Sequence, residues 1–156
     1  MKLINVYTIL FAICIGYASS GFADSGDDLI MAASQGNVSK VKALIKRGVN
    51  VNAAAPATSQ VPQGITPLMF SSAENHLEIT KILLDAGADP NQSDKGGGTA
   101  LIYAVWKGHL HIVKLLIEHG ANVHAETTDG RTPLSVAKNG GKSTMVELLE
   151  TAGAKR

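Results

Sequence analysis

One pattern recurs along this chain at a constant spacing. The copies begin at Thr66, Thr99 and Thr132 and read TPLMFSSAENHLEITKILLDAGADPN, TALIYAVWKGHLHIVKLLIEHGANVH and TPLSVAKNGGKSTMVELLETAGA. An earlier copy, DLIMAASQGNVSKVKALIKRGVNVN, begins at Asp28 and is followed by six additional residues before the next copy. A unit of about 33 residues cannot bury its apolar face alone and is stable only when it stacks on its neighbours. The repeat therefore predicts an elongated stack of similar units.

Each copy carries the start signals and the periodicity of two short helices. Thr-Pro steps at 66–67 and 132–133 supply an N-cap hydroxyl and a proline suited to the first helical position, and Asp27 or Asp28 is expected to cap the first helix. Apolar residues then recur at helical spacing on a second helix. They are Ile79, Ile82 and Leu83 in one copy, and Ile112, Leu115 and Leu116 in the next.

Residues that tolerate the left-handed backbone conformation follow both helices of a copy. Gly36 and Gly108 follow the first helix, and Asn75 takes the same position in the copy between them. The second helices are followed by Gly48, Gly87 and Gly120. We therefore predict an all-α solenoid of four stacked helix-turn-helix pairs joined by hairpin-like loops.

These motifs resemble the ankyrin repeat, because Thr-Pro-Leu and Gly-Ala-Asp-Pro-Asn recur in phase over nearly all of the chain from Asp28 onward. The copies depart from the family pattern at Met69, Ala100, Ile102 and Ser135. The resemblance implies an ankyrin repeat solenoid with repeats at about 28–52, 64–93, 97–126 and 130–154, and an insertion loop at 53–63. The insertion is interpreted as a tolerated loop, with a role in partner contact as the alternative.

The segment from Met1 to Ala23 has a different composition. Lys2 precedes an apolar run over 3–18, and small residues follow it. This is the layout of a secretory signal peptide with cleavage after Ala23, or alternatively after Ser20. A retained membrane anchor is the other interpretation, but the run is shorter than the ~20 apolar residues that span a bilayer. We therefore predict a signal peptide, a repeat domain at 24–156, and a periplasmic or secreted location.

Composition and charge narrow the function classes. The single cysteine, Cys14, lies in the predicted signal peptide, so the remaining chain has no thiol for disulfide, zinc or nucleophile chemistry. The formal charge of +1 argues against nucleic acid or an anionic membrane as the main partner. Aromatic residues make up 4% of the chain and include one tryptophan. An aromatic side chain exposed at a binding face would therefore be distinctive.

Two glycine-rich segments share features with nucleotide sites. Gly141-Lys142-Ser143 looks like the end of a phosphate-binding loop, but Val136 stands where that loop requires its first glycine. The segment KGGGTAL at 95–101 lacks the spacing of a dinucleotide-binding loop. We interpret both segments as turns of the repeat, in which Lys142 is an ordinary turn residue.

The histidines of the third repeat indicate metal or small-ligand binding as an alternative function. The third repeat contains His109, His111, His119 and His124. On a helix, His109 and His111 point about 200° apart and cannot chelate one ion together. His76 and His109 also match a histidine that serves structure in the ankyrin family. Ser71, His76 and Asp85 lack the motif of a nucleophile elbow. We predict no cofactor and no catalytic activity.

A binding surface is the function that remains. By resemblance, the family uses a concave face formed by the hairpin tips and the exposed ends of the first helices. The positions that match the helix ends are Ser34, Gln35, Ala73, Glu74, Trp106, Lys107 and Asn139. The matching hairpin positions are Gln63, Ile65, Ser93, Lys95, Glu126, Thr128, Asp129 and Arg131.

Trp106 is predicted to anchor this surface. It aligns with Ser34, Ala73 and Asn139, so the position has no fixed structural need for a large aromatic residue. Exposed Trp and Arg are enriched at binding hot spots, where truncation costs ~2 kcal/mol or more. We therefore predict a monomeric, non-catalytic protein–protein interaction module, with a secreted effector or inhibitor as a further alternative.

Overall fold

The structure, a computed structural model, describes residues 25–56 and 62–154. The predicted signal peptide and the centre of the insertion lie outside these residues. Eight helices form within the described part of the chain. They are α1 (Gly26–Ser34), α2 (Val38–Lys46), α3 (Pro67–Ala73), α4 (Leu77–Asp85), α5 (Ala100–Lys107), α6 (Leu110–Glu118), α7 (Pro133–Asn139) and α8 (Ser143–Thr151). None of them has the length and apolar character that a membrane crossing requires.

The helices form two layers, as the repeat predicts. The odd-numbered helices pack side by side in an inner layer, and each also packs on the even-numbered helix that follows it. The inner helices pack more closely on one another than α2, α4 and α6 do. The stack therefore curves toward the inner layer, and the ends of the inner helices lie on its concave side. The core repeats with the sequence, since Leu68, Leu101 and Leu134 are buried at the same register.

The helix starts largely confirm the predicted caps. The hydroxyls of Thr66 and Thr132 accept hydrogen bonds from backbone N–H groups three residues later, and proline opens α3 and α7. The expected cap of the first helix was wrong. Ser25 is the N-cap residue, and Asp28 accepts a hydrogen bond from the Ser25 backbone in return. This bond, more than any other contact, holds the pKa of Asp28 below its usual value.

The turns between paired helices confirm the left-handed positions. Asn75 has a φ of 62°, and Gly36 and Gly108 at the equivalent step have φ values of 71° and 89°. The histidine that follows this turn links successive repeats. His76 Nε2 lies 3.2 Å from the carbonyl oxygen of Ser34, which is the last residue of α1. The structural role predicted for this histidine is thus confirmed.

The final helix pair is polar on the side that faces away from the stack. The exposed residues of α8 include Ser143, Thr144, Glu147, Glu150 and Thr151, as expected for a capping repeat. Lys138 and Glu150 form an ion pair of 3.1 Å. One repeat earlier, the same two positions are Val105 and Ile117. The ion pair therefore replaces apolar residues that would otherwise form part of a stacking surface.

Among the described residues, one buried side-chain hydroxyl has no hydrogen-bond partner, and its removal should stabilise the protein. Ser72 is 0% exposed and its hydroxyl has no hydrogen-bond partner. Ser72→Ala is expected to raise the free energy of unfolding by about 1 kcal/mol, because a buried unpaired hydroxyl opposes folding. Urea titration followed by far-UV circular dichroism measures this change. Ala33 already occupies the equivalent position one repeat earlier.

Ser71 provides the matched control for this substitution. It is equally buried, but its hydroxyl donates to the Leu68 carbonyl oxygen and accepts a hydrogen bond from Thr80. Ser71→Ala should therefore lower stability, since it leaves neighbouring groups without these bonds. A loss of stability in Ser72→Ala as large as that in Ser71→Ala would contradict the assignment of an unpaired hydroxyl.

Candidate functional site

Trp106 lies in the last turn of α5 with its side chain directed outward. The residue is 45% exposed, although tryptophan is mostly buried in folded proteins. The Lys107 ammonium lies 5.3 Å from the centroid of the indole ring. This distance permits a cation–π interaction, which favours one orientation of the ring. An apolar plane and a positive charge are thus presented together.

The backbone beneath Trp106 is held by the next repeat. Lys142 Nζ donates to the Trp106 carbonyl oxygen over 3.1 Å. One repeat earlier, His109 Nε2 lies 3.0 Å from the Ala73 carbonyl oxygen in the equivalent contact. Lys142 was predicted to be an ordinary turn residue, and it does precede α8, but its side chain also takes the linking position of the histidines. The fixed carbonyl limits the movement of the Trp106 backbone.

The predicted row along the inner helices has a mixed character. Gln35 and Asn139 are exposed, whereas Ala73, Glu74 and Lys107 are partly buried. The row runs from polar through acidic to aromatic and basic groups. Because successive inner helices pack side by side, these positions form a row across the concave side.

Arg131 and Asp129 form an ion pair with two contacts inside their own hairpin. Arg131 Nη2 lies 2.7 Å from Asp129 Oδ2, and Nε donates to Oδ1 over 3.0 Å. The Arg131 hydrogen bond, followed by that from Thr127, holds the pKa of Asp129 below its usual value. The same contact raises the pKa of Arg131. The guanidinium predicted to flank Trp106 is therefore already engaged, and both side chains remain exposed.

The hairpin tips are bonded to one another in series. The Lys95 backbone N–H donates to the Gln63 carbonyl oxygen over 2.9 Å, and Thr128 donates in the same way to Gly96 over 2.9 Å. The Lys95 side chain is left exposed. Ile65 was predicted to be a hairpin contact residue, but it is only 6% exposed and packs in the core. Its apolar side chain is more stable there than at a solvated tip.

Asparagines connect the bases of neighbouring hairpins, a role that the sequence analysis missed. Asn91 Nδ2 donates to the Gly120 carbonyl oxygen over 3.0 Å, and Asn91 Oδ1 accepts from the Asn122 backbone over 2.7 Å. Asn52 makes the equivalent pair of bonds with Gly87 and Asp89. The sequence does carry a signal for this role, because the first and second repeats both have an asparagine at this position.

Asp94 was also missed, although it organises the third repeat's hairpin. Its Oδ1 accepts from the backbone N–H groups of Gly96 and Gly98, each over 2.8 Å, and its Oδ2 accepts from the Tyr103 hydroxyl over 2.5 Å. Burial, followed by the contact with Asp94, raises the pKa of Tyr103. The Asp94-x-Gly-Gly-Gly sequence carries a signal for this turn, because aspartate commonly accepts from backbone two residues on.

The histidines of the third repeat contact different groups. His109 faces Ala73, as described, and His119 Nδ1 lies 2.9 Å from the Leu115 carbonyl oxygen. His111 is exposed on the outer layer, and His124 is exposed on a hairpin. In residues 25–56 and 62–154, no three His, Cys, Asp or Glu side chains lie close enough together to hold a metal ion.

The repeats of this chain are similar to those of known proteins. A family model for ankyrin repeats in three copies matches residues 29–127. The potassium channel AKT2/3 of Arabidopsis thaliana is 37% identical over 65 residues, which is 42% of this chain and 7% of the channel. The chain thus spans a small part of this relative, and the similarity concerns a segment of repeats.

Proposed function

This chain belongs to the ankyrin repeat family, and from that premise we propose that it is a non-catalytic module that binds another protein through its concave side. Ankyrin repeats generally mediate protein–protein interaction. The proposed surface consists of the inner-helix row and the hairpin tips. Its central residue is Trp106, with Lys107 beside it and Glu74 one repeat away.

The exposed ring of Trp106 is the observation that carries this proposal. Its register holds Ser34, Ala73 or Asn139 in the other repeats, so the fold itself does not require a ring there. The residue is 45% exposed in a chain with one tryptophan. A large aromatic side chain contributes most to affinity when a partner excludes water from it. The Lys142 contact favours binding further, because a backbone that is already ordered loses less entropy on association.

We also propose that the protein acts after export, in the periplasm or outside the cell. The signal-peptide pattern at 1–23 supports this location. The position of the single cysteine is consistent with it, because cleavage after Ala23 would remove Cys14 and leave a chain without thiols. The partner in this proposal is a protein of the same compartment, and the module binds it as a monomer.

Replacing the anchor tests the proposal. The purified protein and a Trp106→Ala variant serve as baits in an envelope or secreted extract, and each captured protein is then measured by calorimetry. We expect a partner that the native protein holds and that Trp106→Ala binds at least about 30-fold more weakly, which corresponds to ~2 kcal/mol. Circular dichroism establishes that the variant remains folded.

Leu77→Ala is the matched control. Leu77 is 44% exposed, as Trp106 is, but it lies on the outer helix α4. A partner of the concave side should bind this variant with unchanged affinity. Equal binding to the native protein and Trp106→Ala would overturn the proposed anchor.

A further inference from the structure

A row of lysines lies on the outer layer, away from the concave side. Lys42, Lys81 and Lys114 occupy the same register on α2, α4 and α6, and all three are exposed. Packed helices lie about 8–10 Å apart, so neighbouring lysines of the row lie within reach of one short peptide. The environment of each lysine differs because the residues facing it differ.

The first lysine of the row has a partner on the next helix, whereas the second does not. Lys42 Nζ lies 3.0 Å from Glu78 Oε1 across α2 and α4. The residue equivalent to Glu78 on α6 is His111, so no carboxylate stands at this position to pair with Lys81. In the described part of the chain, Lys81 and Lys114 form no ion pair.

An apolar groove lies between these two unpaired lysines. It has a volume of about 300 Å³ and is lined by Leu77, Lys81, His111, Lys114, Leu115 and Glu118. Leu77 is 44% exposed, the most exposed large aliphatic side chain in residues 25–56 and 62–154, and Leu115 is half-buried. The groove therefore combines an apolar lining with two cations that form no ion pair and one carboxylate, Glu118.

We propose that this groove binds an acidic polypeptide segment of a partner protein. One apolar side chain of the segment packs on Leu77 and Leu115, and two of its carboxylates pair with Lys81 and Lys114. Charge complementarity identifies the segment, since Lys81 and Lys114 outnumber Glu118 in the lining. His111 also replaces the carboxylate that pairs with Lys42 one repeat earlier. This second surface is independent of the one proposed around Trp106.

The surroundings favour a peptide over an extended polyanion or a membrane. Glu78, Asp85 and Glu118 on α4 and α6 interrupt the positive charge, so a continuous line of phosphates would meet like charges. A concave groove of about 300 Å³ receives projecting side chains, whereas a flat lipid surface is contacted by projecting apolar residues. Two lysines beside an apolar lining suit a short acidic and apolar segment, which does not extend along these carboxylates.

Titration with designed peptides tests the proposal. The probe is an acetylated amphipathic peptide of about 14 residues with leucine and glutamate on one face. Two matched peptides replace every glutamate by glutamine, or every leucine by serine. Amide chemical shifts of the ¹⁵N-labelled protein are followed to about 1 mM peptide. We expect shifts around Leu77, Lys81, His111 and Lys114, and about tenfold weaker binding of each matched peptide.

Variants of position 111 provide the sharper comparison. His111→Glu supplies the missing carboxylate to Lys81 and should weaken binding of the acidic peptide up to about fivefold. His111→Gln changes the same position without a charge and should bind as the native protein does. Trp106→Ala should also bind normally, because it lies on the concave side.

Three results would overturn the proposal. The first is the absence of localised shifts at the highest peptide concentration, or shifts centred on Trp106. The second is equal binding of His111→Glu and His111→Gln. The third is Leu77-dependent binding to phosphatidylcholine vesicles with about one-third phosphatidylserine but not to the peptide, which would assign the groove to a membrane surface. Loss of the concave-side partner leaves this proposal unaffected, so the two proposals fail separately.

Discussion

Asp94→Ala is expected to lower the free energy of unfolding by about 3 kcal/mol, one of the two largest effects predicted for this protein. The carboxylate is 8% exposed and accepts three hydrogen bonds, from Gly96, Gly98 and Tyr103. Its removal leaves these donors without their partner inside a hairpin that carries the concave surface. Hydrogen bonds to a charged group contribute ~1.5–3 kcal/mol each, and part of that is recovered where water reaches the donors. Urea titration followed by far-UV circular dichroism measures the change.

Conservative variants separate the contributions to this effect. Asp94→Asn keeps the size of the side chain and one acceptor oxygen, so it should lose about half as much stability. Tyr103→Phe removes only the phenol contact. The double variant of Asp94→Ala and Tyr103→Phe should lose less than the sum of the single losses, since both remove the same bond. A change below about 0.5 kcal/mol for Asp94→Ala would contradict the role assigned to the carboxylate.

Gly97→Ala is the second large effect, with an expected loss of about 3 kcal/mol. Gly97 has a φ of 77°, which costs a residue with a Cβ atom ~1–2 kcal/mol. A Cβ at this position would also lie 2.8 Å from Thr127 Cα and 2.9 Å from the Glu126 carbonyl oxygen. These are backbone atoms of the next hairpin, so they cannot rotate away. The thermal and urea unfolding midpoints of the variant should both fall.

Gly130→Ala isolates the part of this loss that comes from stacking. Gly130 occupies the same register with a φ of 79°, but the nearest atom to its added Cβ is Glu126 Oε1 at 3.5 Å. The variant should therefore lose only the ~1–2 kcal/mol of the left-handed backbone. Equal losses in the two variants would mean that the hairpin tips are not packed as described.

Asp94 and Gly97 both stabilise the hairpin tips on the concave side. The tips are linked through backbone bonds such as that from Thr128 to Gly96. If this series is loosened, the proposed binding surface would have to be ordered on association, and that ordering would reduce the affinity for the proposed partner. A Gly97→Ala variant that still folds should thus bind the concave-side partner more weakly, even though position 97 need not contact it.

The elements of the fold could be predicted because their signals are local. A threonine and proline start a helix within one turn, and a left-handed residue such as Asn75 ends it. The spacing of buried residues along each helix follows from the helical period of the backbone. Repetition of the whole pattern at a constant interval then indicates that the units stack, since none can bury its apolar side alone. These features depend on residues a few positions apart, which one sequence displays directly.

The contacts of the candidate surface could be predicted only in part. The exposure of Trp106 followed from register, but its carbonyl contact with Lys142 did not, although Lys142 stands at the position of His76 and His109. Likewise, Ile65 is buried, and the charge of Arg131 is engaged within its own hairpin. The Lys142 contact and the burial of Ile65 depend on which atoms of neighbouring units meet after stacking, whereas the Arg131 pair depends on the side-chain conformations within one turn.

The sequence by itself therefore determined the number, type and order of the helices in the described part of the chain, and the family of the fold. Only the tertiary structure decided which charged side chains form ion pairs and which do not. Lys42 pairs with Glu78, whereas His111 stands at the equivalent position opposite Lys81, although the two lysines have the same register. The physical reason is that helix signals act over one or two turns, while the partner of a side chain such as Lys42 lies about one repeat away in sequence. Stacking brings such residues together and so decides which charged groups remain available to a partner.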